Sequence, residues 1–164
     1  LHDALPIYLL LNILLAITWA ALTDSFSLGG IAIGVVLGYV ALWFTQPIFG
    51  DGPSPYFGRV WNALRLLVFF LYELIRSSID VAWDVLTPTH RSRPRFVEMP
   101  LDVKSDAGIL MVTNLISLTP GTLSVDVSDD RETLLVHAMF ADDPDELVRD
   151  LKGGMERMVK EVFE

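Results

Sequence analysis

The sequence has no cysteine, which excludes disulfides, thiol nucleophiles and every zinc or iron–sulfur site built on sulfur. Histidine is nearly as scarce. His2, His90 and His137 lie far apart in sequence, which argues against an imidazole metal cluster. Only 20% of the 164 residues are charged against 52% hydrophobic, and mean hydropathy is +0.45. Those proportions argue against a disordered chain and against an ordinary soluble domain. Basic residues are outnumbered 12 to 21, giving a formal charge of −9 and a pI near 4.6. Phosphate recognition needs a basic footprint, so nucleic acid is not expected as a partner.

Charge is also missing locally. Residues 1–58 contain no Lys or Arg, whereas residues 91–164 hold nine of the twelve, and fifteen of the twenty-one acidic residues. The expected organisation is therefore a membrane part over residues 1–90 and a water-facing domain over 91–164.

Two uncharged runs of 19 residues, 4–22 and 26–44, each suit a hydrocarbon core about 30 Å thick. The first lacks the basic n-region and the A-x-A-like cleavage site of a secretory signal peptide, and is read as a span. Thr23-Asp24-Ser25 is short enough to force an antiparallel hairpin, with Asp24 or Ser25 capping the second helix. Gly30, Gly34 and Gly38 follow a four-residue step along one face, where small side chains let another helix approach closely. They are the candidate subunit-packing residues. Residues 45–58, dense in Pro and Gly, read as a loop.

A third segment, about 60–86, is different. Arg65, Glu73, Arg76, Asp80 and Asp84 keep close to one helical face. Twelve Leu, Ile, Val and Phe residues between Val60 and Trp83 favour insertion by about 4–7 kcal/mol. Four charges at mid-depth oppose it by about 10–14 kcal/mol. The helix is read as a span shifted toward water, or with its charged stripe turned to protein. Arg65, Glu73, Arg76 and Asp80 are the candidate intramembrane polar contacts. Arg91, Arg93, Arg95 and Lys104 follow directly, so the C-terminal domain is expected in the cytoplasm. Three spans then put the N-terminus outside, and a third helix lying only at the interface would return it to the cytoplasm.

The tail reads as βαββα, a small α+β layer. Arg95–Val103 is a candidate strand with Pro100 suggesting an edge. Ala107–Leu118 fits a helix too short to span, with Thr113, Asn114 and Ser117 as its polar face. Thr119, Pro120 and Gly121 form a fold-determining turn. Strands over Thr122–Ser128 and Glu132–Phe140 should make a hairpin, the first burying Leu123, Val125 and Val127, the second Leu134, Val136, Ala138 and Phe140. Asp143, Pro144 and Glu146 then announce a last helix, whose stripe is Leu147, Leu151, Met155, Met158 and Val162. Gly153-Gly154 marks either a weak point or close packing on the sheet.

No phosphate loop, G-x-S-x-G or H-E-x-x-H occurs. Ser124, Asp126 and His137 offer triad side chains with no arguable oxyanion hole, and Asp142, Asp143, Asp145 and Glu146 are better explained by capping than by a cation. No catalytic residue, cofactor or metal site is expected, and the chain is not read as an enzyme.

The two uncharged spans, the charged third helix, Leu118-Thr-Pro-Gly-Thr-Leu-Ser-Val-Asp-Val127 and Leu135-Val-His-Ala138 together resemble the E subunit of the multisubunit Mrp-type (Mnh/Sha) Na+/H+ antiporters. The resemblance runs from about Leu9 to Phe163. It implies a small accessory, non-catalytic subunit of a bacterial inner-membrane complex exchanging a monovalent cation for protons. The implied partners are the other antiporter subunits and the lipid bilayer, and the implied role is assembly and stability. Two other classes fit the composition: a membrane-anchored regulatory or ligand-binding module, and a small homo-oligomeric cation transporter.

Overall fold

The computed structural model describes residues 4–49, 54–88 and 90–164, and the chain divides into two compact units, Leu1–Val60 and Trp61–Glu164. Most of the third helix, expected with the membrane part, therefore falls in the same compact unit as the tail.

The first unit is a helical hairpin. α1 runs Ala4–Leu22 and α2 Leu28–Phe49, neither with a charged residue. Leu28–Ile48 is long and apolar enough to cross a membrane, while Pro6–Leu22 is a shorter apolar helix. Apolar side chains such as Leu10, Leu14, Val36 and Trp43 remain exposed, as a lipid-facing surface requires. Ser27, rather than Asp24 or Ser25, caps α2, its Oγ accepting from the Gly30 N–H at 3.1 Å. Asp24 instead turns the chain with φ +47°.

The expected 45–58 loop is shorter than its composition suggests. α2 continues through Pro47, and α3 (Pro55–Leu86) starts with Pro55 in its first turn and Ser54 Oγ accepting from the Tyr56 N–H. Residues 50–53 of that loop, and Thr89 of the break after α3, lie outside the described residues. Tyr56 and Phe57 are thus helical and buried, packed with Tyr8, Tyr39 and Leu42.

The second unit is a three-stranded antiparallel sheet, order β1-β3-β2, with helices over one face. β1 is Arg95–Pro100, β2 Thr122–Val127 and β3 Thr133–Ala138. α4 (Asp106–Leu118) connects β1 to β2, and a last helical run extends from Pro144 to Phe163. β3 is central and buries Leu134, Val136 and Ala138 completely, on the face its alternation indicates. β1 is an edge ending at Pro100, where a missing N–H costs no ladder bond.

β2 departs from expectation. A bulge between Ser124 and Asp126 breaks the alternation, so Leu123 and Val125 are exposed and only Val127 reaches the core. The polar side chains face α4 instead. Thr122 Oγ1 donates to the Ile116 carbonyl (2.7 Å), Ser124 Oγ to that of Thr113 (2.9 Å), and Ser117 Oγ accepts from the Ser124 N–H. The short side chains of α4 and β2 meet through hydrogen bonds that longer apolar side chains would prevent.

The last helix begins as its sequence indicates: the Asp143 carboxylate accepts from the N–H groups of Asp145 and Glu146, with Pro144 in the first turn. A π-turn over Lys152–Glu156 interrupts it between α5 (Pro144–Leu151) and α6 (Arg157–Phe163). The buried positions become Leu151, Met155 and Val159, while Met158 and Val162 are only half-buried. One extra residue in the turn moves the stripe onto Val159.

α3, expected to be shifted toward water or to turn its charged stripe to protein, is tied to the second unit. Leu66 is in the main core of the second unit, with Phe69 and Phe70 packed against it. A helix so committed to a layer of water-soluble character is amphipathic, and among the described residues it is not one of the helices apolar enough to cross.

Candidate functional site

Gly30, Gly34 and Gly38 are all buried, and their face is occupied from within the chain. A Cβ on Gly34 would stand 2.9 Å from both Cα and O of Ala16, and one on Gly38 would collide with Asn12 Oδ1. Gly34 and Gly38 thus meet Ala16 and Asn12, which with Ala20 are buried at four-residue intervals along α1. Gly34 and Gly38, expected to pack against another subunit, here pack within the hairpin. In the same unit Asn12 Nδ2 donates to Tyr56 Oη at 2.8 Å, inside a group of rings formed by Tyr8, Tyr39, Tyr56 and Phe57.

In the second unit, two sets of sequence candidates converge. Glu73, Arg76 and Asp80 on α3 and Thr119, Pro120 and Gly121 at the end of α4 line one cleft of about 510 Å³. Arg149, Asp150 and the Gly153-Gly154 π-turn also line it. Glu73 pairs with Arg76 at 3.8 Å on the partly solvated wall, worth about 0–1 kcal/mol. Gly154 owes its identity to close packing, since a Cβ there would lie 2.8 Å from Phe69 Cζ, whereas Gly153 faces open space. Arg65 stands apart from the cleft. It pairs with Glu161 at 3.7 Å and lines a second, apolar groove with Trp61, Leu64, Val68 and Tyr72.

The turn itself is built to end α4. The Thr119 hydroxyl donates to the Leu115 carbonyl and that of Thr122 to the Ile116 carbonyl, satisfying groups a helix end leaves open. Gly121 has φ +89°, a conformation that suits glycine, and its carbonyl accepts from the Met139 N–H at 2.7 Å. Thr119 and Gly121 thus tie α4 to the sheet.

Two buried carboxylates were not singled out as sites by the sequence. Glu156, fully buried, accepts from the backbone N–H groups of Asp102 (2.5 Å) and Val103 (3.2 Å) through Oε1, and its Oε2 lies 3.2 Å from Lys152 Nζ. Lys152 also reaches Asp102 Oδ2 at 2.8 Å and the Pro100 carbonyl. The Lys152 bond holds the Asp102 carboxyl below the usual carboxylate range, against a smaller opposing effect of burial. Burial pushes Lys152 down, but its bonds to Asp102 and Glu156 outweigh that and raise it. Asp84, buried at the end of α3, accepts from the backbone N–H groups of Arg91 and Ser92 and so fixes the chain leaving the helix. An acid four residues after a Lys, or at a helix end, was the available signal, but only burial makes it structural.

Ser124, Asp126 and His137, set aside as a triad on sequence, have separate surroundings. Ser124 faces α4, while His137 packs on the Phe96 ring (centroids 5.0 Å apart) and Asp126 accepts from the Val127 N–H. No group of three metal-ligating side chains occurs among the described residues.

Residues 12–162 match the family model described as Na+/H+ ion antiporter subunit. The chain is 34% identical to the E1 subunit of the Na(+)/H(+) antiporter of Staphylococcus haemolyticus, covering 98% of this chain and 99% of that protein. It is also 34% identical to the E subunit of the Na(+)/H(+) antiporter of Alkalihalophilus pseudofirmus, over 94% and 96%. Among solved structures it resembles a chain of the membrane-bound sulfane sulfur reductase, an archaeal respiratory membrane complex. That match has 28% identity and a TM-score of 0.57, with 95% and 98% coverage. The sequence matches run along almost the whole length: the chain belongs to the E-subunit family of multisubunit Na+/H+ antiporters.

Proposed function

We propose that the chain is an accessory, non-catalytic subunit that contributes to assembly and stability of a Na+/H+ antiporter in a bacterial inner membrane. The observation that carries this reading is the absence of any charged residue from α1 and α2. Ion and proton paths are marked by ionisable side chains inside the membrane. Asn12, a buried polar side chain within the hairpin, is uncharged, and Tyr56 holds it. The chain is multi-pass, and its α+β domain faces the cytoplasm, as the basic run Arg91, Arg93, Arg95 supports. The cleft of Glu73, Arg76, Asp80 and the Thr119–Gly121 turn is its polar surface for neighbouring subunits.

Mild-detergent purification through a tag on this chain tests the proposal. Co-purification of large hydrophobic companions is the expected result, and their loss of mutual association when the chain is deleted. Recovery of this polypeptide alone, or Na+ movement into liposomes by it alone, overturns it.

A further inference from the structure

Beyond the membrane hairpin, α3 carries a second arrangement that assembly alone does not explain. One side of the helix belongs to the soluble layer: Leu66 is buried in its core, Asn62 donates to the Glu161 carbonyl, and Asp84 is buried at its end. The opposite side is exposed and apolar over its whole length, with Leu64, Val68, Ile75 and Ile79 each more than half accessible. No charge interrupts it.

Along one border of this apolar face stand Trp61, Tyr72 and Trp83, eleven residues apart and all exposed. Eleven residues make three helical turns, so the three rings form a line about 33 Å long, nearly parallel to the axis. Arg65 and Arg76 repeat the same interval just beside them. Amphipathic rings and long cations at the border between an apolar and a charged face are the composition of a helix lying in a lipid–water interface.

A crossing orientation conflicts with the opposite side. Charges are attached to that side at every level, from Glu161 beside Arg65, through Arg149 and Asp150 in the cleft, to Asp84. Crossing would carry them all into hydrocarbon. The occupant of the apolar face is also near at hand, since five residues separate the start of α3 from the end of α2, which is long and apolar enough to cross the bilayer. We propose that α3 beyond Val60 lies parallel to the membrane surface, its apolar face in the acyl boundary and its Trp/Tyr/Arg border at the headgroups. In this position it holds the α+β layer flat against the bilayer. The proposal rests on the chain's being a membrane subunit and not on its role in assembly.

The cysteine-free sequence makes the test direct. Leu64→Cys, Val68→Cys, Ile75→Cys and Ile79→Cys, all at exposed positions, are spin-labelled on the full chain in vesicles of phosphatidylcholine and phosphatidylglycerol. Their depths are then read from relative access to oxygen and to a water-soluble nickel chelate. Equal depths, about 5–10 Å below the headgroups, are expected at all four. Depths that change steadily along the sequence, by about 1.5 Å per residue, indicate crossing and overturn the proposal. So does free access of the nickel chelate to all four. In the assembled antiporter, a photoreactive benzoylphenylalanine at Ile75 is expected to form adducts with lipid, and adducts confined to another subunit overturn it.

Discussion

Asn12 donates to the hydroxyl of Tyr56 at 2.8 Å across 44 residues of sequence, joining α1 to the first turn of α3 within an apolar hairpin. The bond sits where water is scarce, so each partner depends on the other. Tyr56→Phe strands the Asn12 amide and is expected to destabilise the hairpin by about 1–3 kcal/mol. Adding Asn12→Leu should recover part of that loss. Unfolding of the purified chain in mixed detergent micelles measures both, and simple additivity of the two substitutions would refute the coupling.

The helix pair has its own test. Gly34→Val places a branched side chain where a Cβ already meets Ala16 backbone atoms at 2.9 Å, so the helices must separate. A cost of about 1–3 kcal/mol is expected. Gly29→Ala, whose Cβ would meet only Ser27 Oγ at 4.0 Å, is the tolerated control in the same thermal assay.

The two adjacent glycines of the π-turn should behave oppositely. Gly153→Ala meets nothing and removes freedom from the unfolded chain, a gain of about 0.4–1 kcal/mol. Gly154→Ala drives into the Phe69 ring and should lower the melting temperature. Phe69→Leu in the same chain is expected to restore part of it.

Glu156→Ala removes the acceptor of two backbone N–H groups and a partner of Lys152, and is expected to cost about 1–3 kcal/mol. Glu156→Gln, which keeps an acceptor oxygen, should cost less. Hydrogen exchange at Asp102 and Val103 reports the change locally, and unchanged protection there would contradict the clamp.

Stability should depend on pH at both extremes. Asp102 is lowered by Lys152, and Glu164 by the Lys104 and Ser105 N–H groups, so each contributes stability above its unfolded value of about 4. That contribution is lost as pH falls through the depressed folded values. Lys152 is raised, so its contribution is present below about 10.5 and is lost as pH climbs through the higher folded value. Lys152→Met should remove the alkaline limb and the Asp102 part of the acid limb, leaving the Glu164 part, in a chemical-denaturation series against pH.

Much of the second unit was legible because its signals are local. Asp143, Pro144 and Glu146 satisfy helix N–H groups within three residues, and the β3 alternation needs no knowledge of distant partners. The bulge at Val125 was not legible, because Thr122 and Ser124 are drawn to α4 carbonyls that only the fold brings near. The role of α3 was half-readable. Its charged stripe was evident, but hydropathy cannot distinguish a face turned to lipid from one that, like Leu66, is turned to the core of the α+β layer. Pro55 was read as loop composition because a first-turn proline becomes a helix signal only when apolar periodicity follows.

The two open margins of the sheet carry different obstacles to growth. β1 finishes at Pro100, which offers no N–H to an incoming strand, and β2 is distorted by its bulge. A freshly synthesised copy therefore presents no flat ribbon for another copy to extend, and can await its companions without polymerising through its backbone.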